Sequence, residues 1–142
     1  MSVQEEVRNI AQRSKAASRV MRGVGGAKIN ELLEAIATAL EAGTPEILAA
    51  NARDLETAKA HNMAVGLQDR LKLDADRVKA LANAVRDIKA LKTPIGETLW
   101  GRVQENGLNI EQIRVPMGVV AMIYEARPNV TVDAAALSLK TK

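Results

Sequence analysis

The chain of 142 residues contains no cysteine, no phenylalanine and a single histidine, His61. Without cysteine these residues can form no disulfide, no thiolate metal site and no cysteine nucleophile. One histidine cannot supply a multi-histidine metal site, so no metal site is expected, and His61 should lie at an exposed helix end. The large aromatic residues are Trp100 and Tyr124. No basic block is interleaved with aromatic residues, which argues against nucleic-acid binding.

The chain also lacks a long hydrophobic run. Its longest uncharged stretch, Val115–Tyr124, is far shorter than the ~20 apolar residues that a membrane-spanning helix needs. Charges at Glu5, Glu6 and Arg8 argue against a secretory signal at the N-terminus. The sequence therefore predicts a cytoplasmic protein with no membrane partner.

Alanine is abundant, with 24 residues in a chain that is 47% hydrophobic and 26% charged. Alanine has the highest helix propensity, so the composition favours a predominantly helical chain. Because its side chain is small, we expect a core that buries little area per residue. The net charge of +3 arises from mixed charges along the predicted helices, which is typical of solvated faces.

Capping signals divide the first 91 residues into four predicted helices. Ser2 and Glu5 form a capping box, and the glycines at 23–26 should end that first helix. Gly43 should end the second helix as a C′ glycine, and Thr44 should be the N-cap of the third. Asp74 can cap the fourth, after a less regular stretch at 63–73. Apolar residues at helical spacing predict inward faces, which include Val3, Val7, Ile10, Ile29, Leu33, Ala37, Asn51, Ala58, Val78 and Val85.

The pattern changes after residue 96, where two segments flank Asn106-Gly107. Asn-Gly is the preferred pair for a two-residue type I′ turn, so we predict a β-hairpin over 97–115. Residues 118–124, "GVVAMIY", form a continuous apolar run of strand length, which is typical of a parallel strand covered on both faces. A bend at Arg127-Pro128 and a helix from about Val130 should follow. These elements would be the first half of a βαβ unit.

A glycine-rich stretch, "GVGGAK" at 23–28, bears a faint likeness to a phosphate-binding loop. No predicted strand precedes it, and the G-x-G-x-x-G spacing is not completed. We therefore interpret it as a turn between two helices.

The junction between the predicted strand and the last helix carries the candidate binding residues Glu125, Arg127 and Asn129. Ligands gather at the carboxyl ends of strands in open α/β sheets, and a helix N-terminus favours anions. Arg127 could bind a phosphate or carboxylate with two parallel hydrogen bonds, and Pro128 restricts its backbone. A simpler interpretation is also open, in which Asn129 only caps the helix and Glu125 pairs with Arg127.

The segment "VPMGVVAMIYEARPNVTVDAAALSLK" resembles the γ-glutamyl phosphate reductases, a family within the aldehyde dehydrogenase superfamily. The resemblance extends upstream through "ILAANARDLETAK" and "LQDRLKLDADRV", and so covers nearly the whole chain. It implies an α/β fold: N-terminal helices at 1–96 in a cofactor-binding domain, the hairpin of an oligomerisation flap at 97–115, and the first strand and helix of a truncated Rossmann-like domain at 116–142.

The resemblance also implies a function. Family members reduce L-glutamyl 5-phosphate with NADPH to glutamate 5-semialdehyde and phosphate in proline biosynthesis, as homo-oligomers, through a cysteine nucleophile. That cysteine is expected beyond residue 142, together with most cofactor contacts, so the chain alone should be inactive.

By the same resemblance, Asn129 is a candidate oxyanion donor, and Glu125, Arg127 and Asn129 are candidate substrate-binding residues. An ungapped match anchored on the last helix instead puts the donor near Glu125 or Ala126. The alternative function is a stand-alone helical module that docks on a partner protein.

Overall fold

The computed structural model describes residues 2–142 and leaves Met1, the first residue of the predicted helical part, outside. As predicted, these residues are mainly helical, with one small antiparallel sheet. The helices are α1 (Val3–Met21), α2 (Gly26–Ala42), α3 (Thr44–Ala60), α4 (Val65–Leu71), α5 (Ala75–Ala90) and α6 (Pro128–Thr141), and the strands are β1 (Thr98–Val103) and β2 (Asn109–Ile113).

The predicted caps of α1 and α5 are confirmed. The Glu5 N–H donates to the Ser2 hydroxyl at 3.3 Å, and the Ser2 N–H donates to the Glu5 carboxylate at 2.7 Å. The Arg77 N–H donates to the Asp74 carboxylate at 2.8 Å. Each cap satisfies backbone donors that a helix start leaves without intrahelical partners.

The connection between α2 and α3 is tighter than predicted. Gly43 has φ −82°, so it is not in the left-handed conformation of a C′ glycine. Thr44 is the first residue of α3 rather than its N-cap. Its hydroxyl donates to the carbonyls of Leu40 at 3.2 Å and Glu41 at 2.8 Å. Helix α2 ends at Gly43 as predicted, but the C′ conformation of Gly43 and the N-cap role of Thr44 were wrong. The reason is that α3 restarts at once, and Thr44 caps the end of α2 instead.

Helix α3 ends in a Schellman motif at the point where its pattern fades. Asn62 has φ +54°, its N–H donates to the Lys59 carbonyl at 3.0 Å, and the Met63 N–H donates to the Ala58 carbonyl at 2.9 Å. Helix α4 follows within the stretch that we expected to be irregular. It was missed because no side chain caps its start at Ala64.

The core lies where α2, α5 and α6 pack together. Its buried side chains are all aliphatic and half of them are alanine, as the alanine-rich composition predicts, and the cluster consists of Ile29, Leu33, Ala37, Ala82, Val85 and Ala136. Helix α1 contributes no buried residue. Its predicted inward face is therefore mostly exposed, with Val3, Val7 and Ile10 more than half accessible.

The predicted hairpin is confirmed, with β1 and β2 antiparallel and Arg102 opposite Ile110. Its turn differs from the predicted type I′. Gly107 alone in the turn has positive φ, at +83°, and its N–H donates to the Gln104 carbonyl at 2.9 Å. The Gln104 N–H donates to the Leu108 carbonyl at 2.8 Å. This is a three-residue connection in which glycine takes the left-handed position after a type I turn.

The strand predicted at 118–124 is absent: these residues have no regular secondary structure. A strand needs a neighbour to receive its ladder hydrogen bonds, and no other strand in residues 2–142 lies alongside it. The Gly118 N–H donates instead to the Lys142 carbonyl at 3.4 Å. Val119, Val120, Met122, Ile123 and Tyr124 are all exposed. Residues 115–124 are hereafter the exposed apolar segment.

An ion-pair network joins α2 to α5 above the core. The Arg86 guanidinium donates to Glu34 at 3.0 Å and to both carboxylate oxygens of Glu41 at 2.7 and 2.8 Å. The Lys89 ammonium donates to Glu34 at 2.8 Å. Hydrogen bonds from Lys89 and Arg86 lower the pKa of Glu34 below 4.5, and the Arg86 hydrogen bonds lower the pKa of Glu41 in the same direction.

We expect Arg86→Gln to lower the melting temperature at pH 7. We also expect the melting temperature of this variant to fall less steeply than that of the wild type as the pH is lowered. A carboxyl whose pKa is lowered by folding stabilises the fold above its unfolded pKa, and that contribution is lost as pH falls through the folded pKa. The difference in Tm between wild type and Arg86→Gln should therefore shrink below about pH 4. Melting curves from pH 3 to pH 7 measure it. Arg53→Gln is the matched control, and equal pH profiles for wild type and Arg86→Gln would contradict this assignment.

Candidate functional site

The predicted site lies where the exposed apolar segment ends and α6 begins. Helix α6 starts at Pro128, two residues earlier than predicted, with Arg127 at the N-cap position. Proline suits the first helical position because its missing N–H would have no intrahelical partner. No side chain caps this helix start. Because the Val130 N–H donates to the Arg127 carbonyl at 3.0 Å, the Asn129 N–H is the donor in this first turn that is left for an anion.

The backbone reverses direction at Ala126, which has φ +47°. A residue with a Cβ rarely adopts this left-handed conformation, and such strain is concentrated at functional sites. On the preceding side, Tyr124 shares a hydrogen bond with Thr131 in the first turn of α6. That bond fixes the end of the exposed apolar segment against α6. The bend at Ala126 is therefore held by this contact before it and by the start of α6 after it.

Glu125 and Arg127 are both exposed and flank the strained residue. Over residues 2–142 no ion pair joins them. The interpretation in which Glu125 only braces Arg127 therefore has no contact to support it. Asn129 lies in the first turn of α6 rather than at its cap, and its amide donates to Asp133 at 3.4 Å. Glu125, Arg127 and Asn129 thus lie close together along the chain. Within residues 2–142 the Arg127 side chain has no hydrogen-bond or ion-pair partner.

A cavity of about 290 Å³ opens beside this helix start. Pro128 and Asn129 form one wall, and three cationic residues, Arg70, Lys72 and Arg77, line the other. Leu73 and Leu81 add apolar surface to the lining. We call this space the cationic cavity. The sequence analysis did not find it, because its two walls are more than fifty residues apart along the chain.

Two side chains fix the connection between α4 and α5 that carries this cationic wall. The buried Asn51 amide donates to the Leu71 carbonyl at 2.9 Å and accepts from the Leu73 N–H at 2.8 Å. The Arg77 guanidinium donates to the carbonyls of Asp69 at 2.8 Å and Lys72 at 2.6 Å. The only sequence signal for this role was a polar Asn51 on the inward face of α3.

The glycine-rich stretch near the N-terminus is not part of this site. Residues 23–26 form the turn between α1 and α2, as predicted. Residues 2–142 hold no cluster of three or more histidine, aspartate or glutamate side chains arranged to bind a metal ion. None of the helices described here is long and apolar enough to cross a membrane.

The fold is shared with part of much larger reductases of known structure. It matches the γ-glutamyl phosphate reductase of Thermotoga maritima with a TM-score of 0.89 and 37% identity, over 92% of this chain and 32% of that one. The Saccharomyces cerevisiae γ-glutamyl phosphate reductase gives the same TM-score at 30% identity, over 99% of this chain and 35% of that one. The helices and hairpin described above therefore define a portion of an oxidoreductase fold.

Sequence comparison finds relatives with the same name as these structures. The chain is 52% identical over 130 residues to the γ-glutamyl phosphate reductase of Sulfurovum sp. (strain NBC37-1), covering 92% of this chain and 32% of that protein. No protein-family model matches. The chain is homologous to γ-glutamyl phosphate reductases, as its motifs predicted, and it spans about a third of the length of the curated relatives that it matches.

Proposed function

We propose that the chain is the N-terminal portion of an NADPH-dependent reductase that converts L-glutamyl 5-phosphate to L-glutamate 5-semialdehyde and phosphate in proline biosynthesis. The observation that carries the proposal is identity of 46–52% to reductases of this name along 92–99% of the chain. Proteins that share a function are expected to show identity of this level across the helices, the hairpin and the junction alike. A cytoplasmic location and a homo-oligomeric state belong to the same proposal.

Within this reductase, 1–96 would belong to the cofactor-binding domain, 97–115 to an oligomerisation flap and 116–142 to the first strand and helix of a Rossmann-like domain. The exposed apolar segment supports the last assignment. A soluble protein rarely exposes this many contiguous apolar side chains without a partner surface. In the proposed enzyme, residues 118–124 become a parallel strand with both faces covered.

Glu125, Arg127 and Asn129 are proposed to bind the substrate. Arg127 is unpaired and stands beside a helix start without a side-chain cap, which suits an acyl phosphate or a carboxylate. The Asn129 amide is the candidate donor to the carbonyl oxyanion, and the strained Ala126 marks the alternative position. Residues 2–142 contain no thiol, so the nucleophile is assigned to the two thirds of the relatives that this chain does not span.

The cofactor does not fit the residues described here. A Rossmann-type dinucleotide site is typically a strand that leads through a glycine-rich loop into a helix, where the pyrophosphate binds. The one glycine-rich stretch, at 23–26, joins two helices. Most NADPH contacts are therefore proposed to lie outside this chain.

A stand-alone helical interaction module is the second candidate, and the exposed apolar face of α1 favours it. The two functions differ in what the gene encodes after codon 142. Sequencing the transcript through that point should show a reading frame that continues into a cysteine-containing domain. A stop codon that directly follows Lys142 in the mature transcript would favour the interaction module.

The hairpin gives a further test in a chimera in which this chain replaces the matching third of the Sulfurovum reductase, hereafter the chimera. Ile110 and Ile113 face opposite sides of β2 because residues of a strand alternate. We expect Ile110→Asp and Ile113→Asp between them to shift the oligomer toward monomers, since a charge in an apolar interface is costly. Sedimentation velocity measures the mass. Asn109→Asp controls for added charge on β2, and unchanged mass in both isoleucine variants would argue against a flap.

A further inference from the structure

The cationic cavity holds positive charge that the fold does not use. Across residues 2–142, the side chains of Arg70 and Lys72 make no hydrogen bond and no ion pair. Arg77 differs, because Asp69 at 3.4 Å and Asp74 at 3.9 Å partly offset its charge. The free charge in the cavity therefore belongs to Arg70 and Lys72.

The backbone that carries these two cations is held in place. Asn51 bonds the backbone on both sides of Lys72, and Arg77 bonds the carbonyls of Asp69 and Lys72. The backbone is therefore fixed at the positions that carry both charges. When such a cation binds an anion, the side chain loses rotamer freedom but no loop has to be ordered, so less entropy is lost.

The size and lining of the cavity indicate the ligand. A volume of about 290 Å³ is at the small end of ligand sites. Leu73 and Leu81 exclude water from part of the lining, which strengthens charge interactions in the cavity. On the opposite wall, Pro128 and Asn129 begin α6, whose positive end faces the same space.

We propose that the cationic cavity binds an anionic oxygen group of the substrate, a phosphate or a carboxylate, through Arg70 and Lys72. The inference rests on the proposed function and adds two residues to its substrate site. Asn129 lines the cavity and follows Arg127 by two residues, so the proposal extends to one site that includes the cavity and the junction of Glu125 and Arg127. In this site, Arg70 and Lys72 bind the anionic group at one end of the substrate, and Arg127 binds the anionic group at the other end.

The test is an NMR titration of the ¹⁵N-labelled 142-residue chain with inorganic phosphate and, separately, with L-glutamate. Saturable shifts are expected at the amides of Arg70, Lys72, Leu73 and Asn129, with a dissociation constant on the order of 1–10 mM for so small an anion. A stronger response to phosphate assigns the cavity to the phosphoryl group, and a stronger response to glutamate assigns it to the carboxylate.

Substitutions identify the residues responsible. Arg70→Gln and Lys72→Gln should each weaken binding at least threefold, whereas Arg53→Gln and Lys59→Gln, which remove equal charges from exposed positions on α3, should leave it unchanged. Shifts that do not saturate with either anion, or that all four variants reduce alike, would overturn the proposal.

A kinetic measurement in the chimera covers the case in which the isolated chain does not fold. Lys72→Gln should raise the KM for phosphate or for glutamate semialdehyde at least threefold with kcat nearly unchanged, and Lys59→Gln should not. Unchanged KM values for Lys72→Gln would also overturn the proposal that the cationic cavity binds the substrate. This failure is separable from failure of the proposed function, in which the unmodified chimera itself would show no turnover.

Discussion

Arg127→Ala in the chimera is expected to reduce kcat/KM by roughly ten- to a hundredfold. The substitution removes a charge-assisted hydrogen bond, which contributes ~1.5–3 kcal/mol. Arg127 is suited to this contact because it is unpaired, follows the strained Ala126 and precedes Pro128 at the first position of α6. Steady-state oxidation of glutamate semialdehyde with phosphate and NADP⁺ measures the loss.

Two companion variants separate substrate binding from a structural role. Arg127→Lys should recover only part of the activity, because lysine keeps the charge but lacks the planar fork of donors. If Arg127 only braced the bend through Glu125, then Glu125→Gln and Arg127→Ala would lower the melting temperature alike and leave kcat/KM within about threefold. Near wild-type kinetics for Arg127→Ala would reject its role in substrate binding.

Asn51→Ala is expected to destabilise the chain by about 2–4 kcal/mol, since it leaves the Leu71 carbonyl and the Leu73 N–H without partners in a partly buried position. That is a large part of the free energy of unfolding of a small domain. Urea denaturation of the 142-residue chain measures the change.

Asn83→Ala is the matched control, because Asn83 is exposed on α5 and its loss should change stability by less than about 0.5 kcal/mol. Equal destabilisation by both variants would show that Asn51 does not hold the connection between α4 and α5. If the account is correct, Asn51→Ala should also weaken phosphate binding in the cationic cavity.

Local signals in the sequence predicted the features that depend on nearby residues. The capping box of Ser2 and Glu5 and the cap at Asp74 are formed within four residues, so composition and spacing suffice. The hairpin around Asn106-Gly107 was predicted for the same reason. The type I′ turn predicted for it was wrong, because Gly107 alone in the turn adopts the left-handed conformation.

Features that depend on distant parts of the chain were not predictable in the same way. Residues 118–124 have the composition of a buried strand, yet a strand forms only beside a partner, and none lies alongside in residues 2–142. The cationic cavity joins Arg70 and Lys72 to Asn129 through packing of α5 against α6. No spacing rule connects those residues, whereas the junction residues Glu125, Arg127 and Asn129 were found because they are adjacent in sequence.

The reductase activity of the chimera tests the central claim most directly. Three samples are compared by NADPH formation from glutamate semialdehyde, phosphate and NADP⁺: the chimera, this chain alone and the remaining two thirds of the Sulfurovum reductase alone. We predict turnover by the chimera and none above blank by this chain alone, because the chain carries no cysteine nucleophile. The remaining two thirds alone should also be inactive, because it lacks the proposed substrate-binding residues Glu125, Arg127 and Asn129. A chimera that assembles to the mass of the parent reductase but shows no turnover would contradict the account, as would turnover by the chain alone.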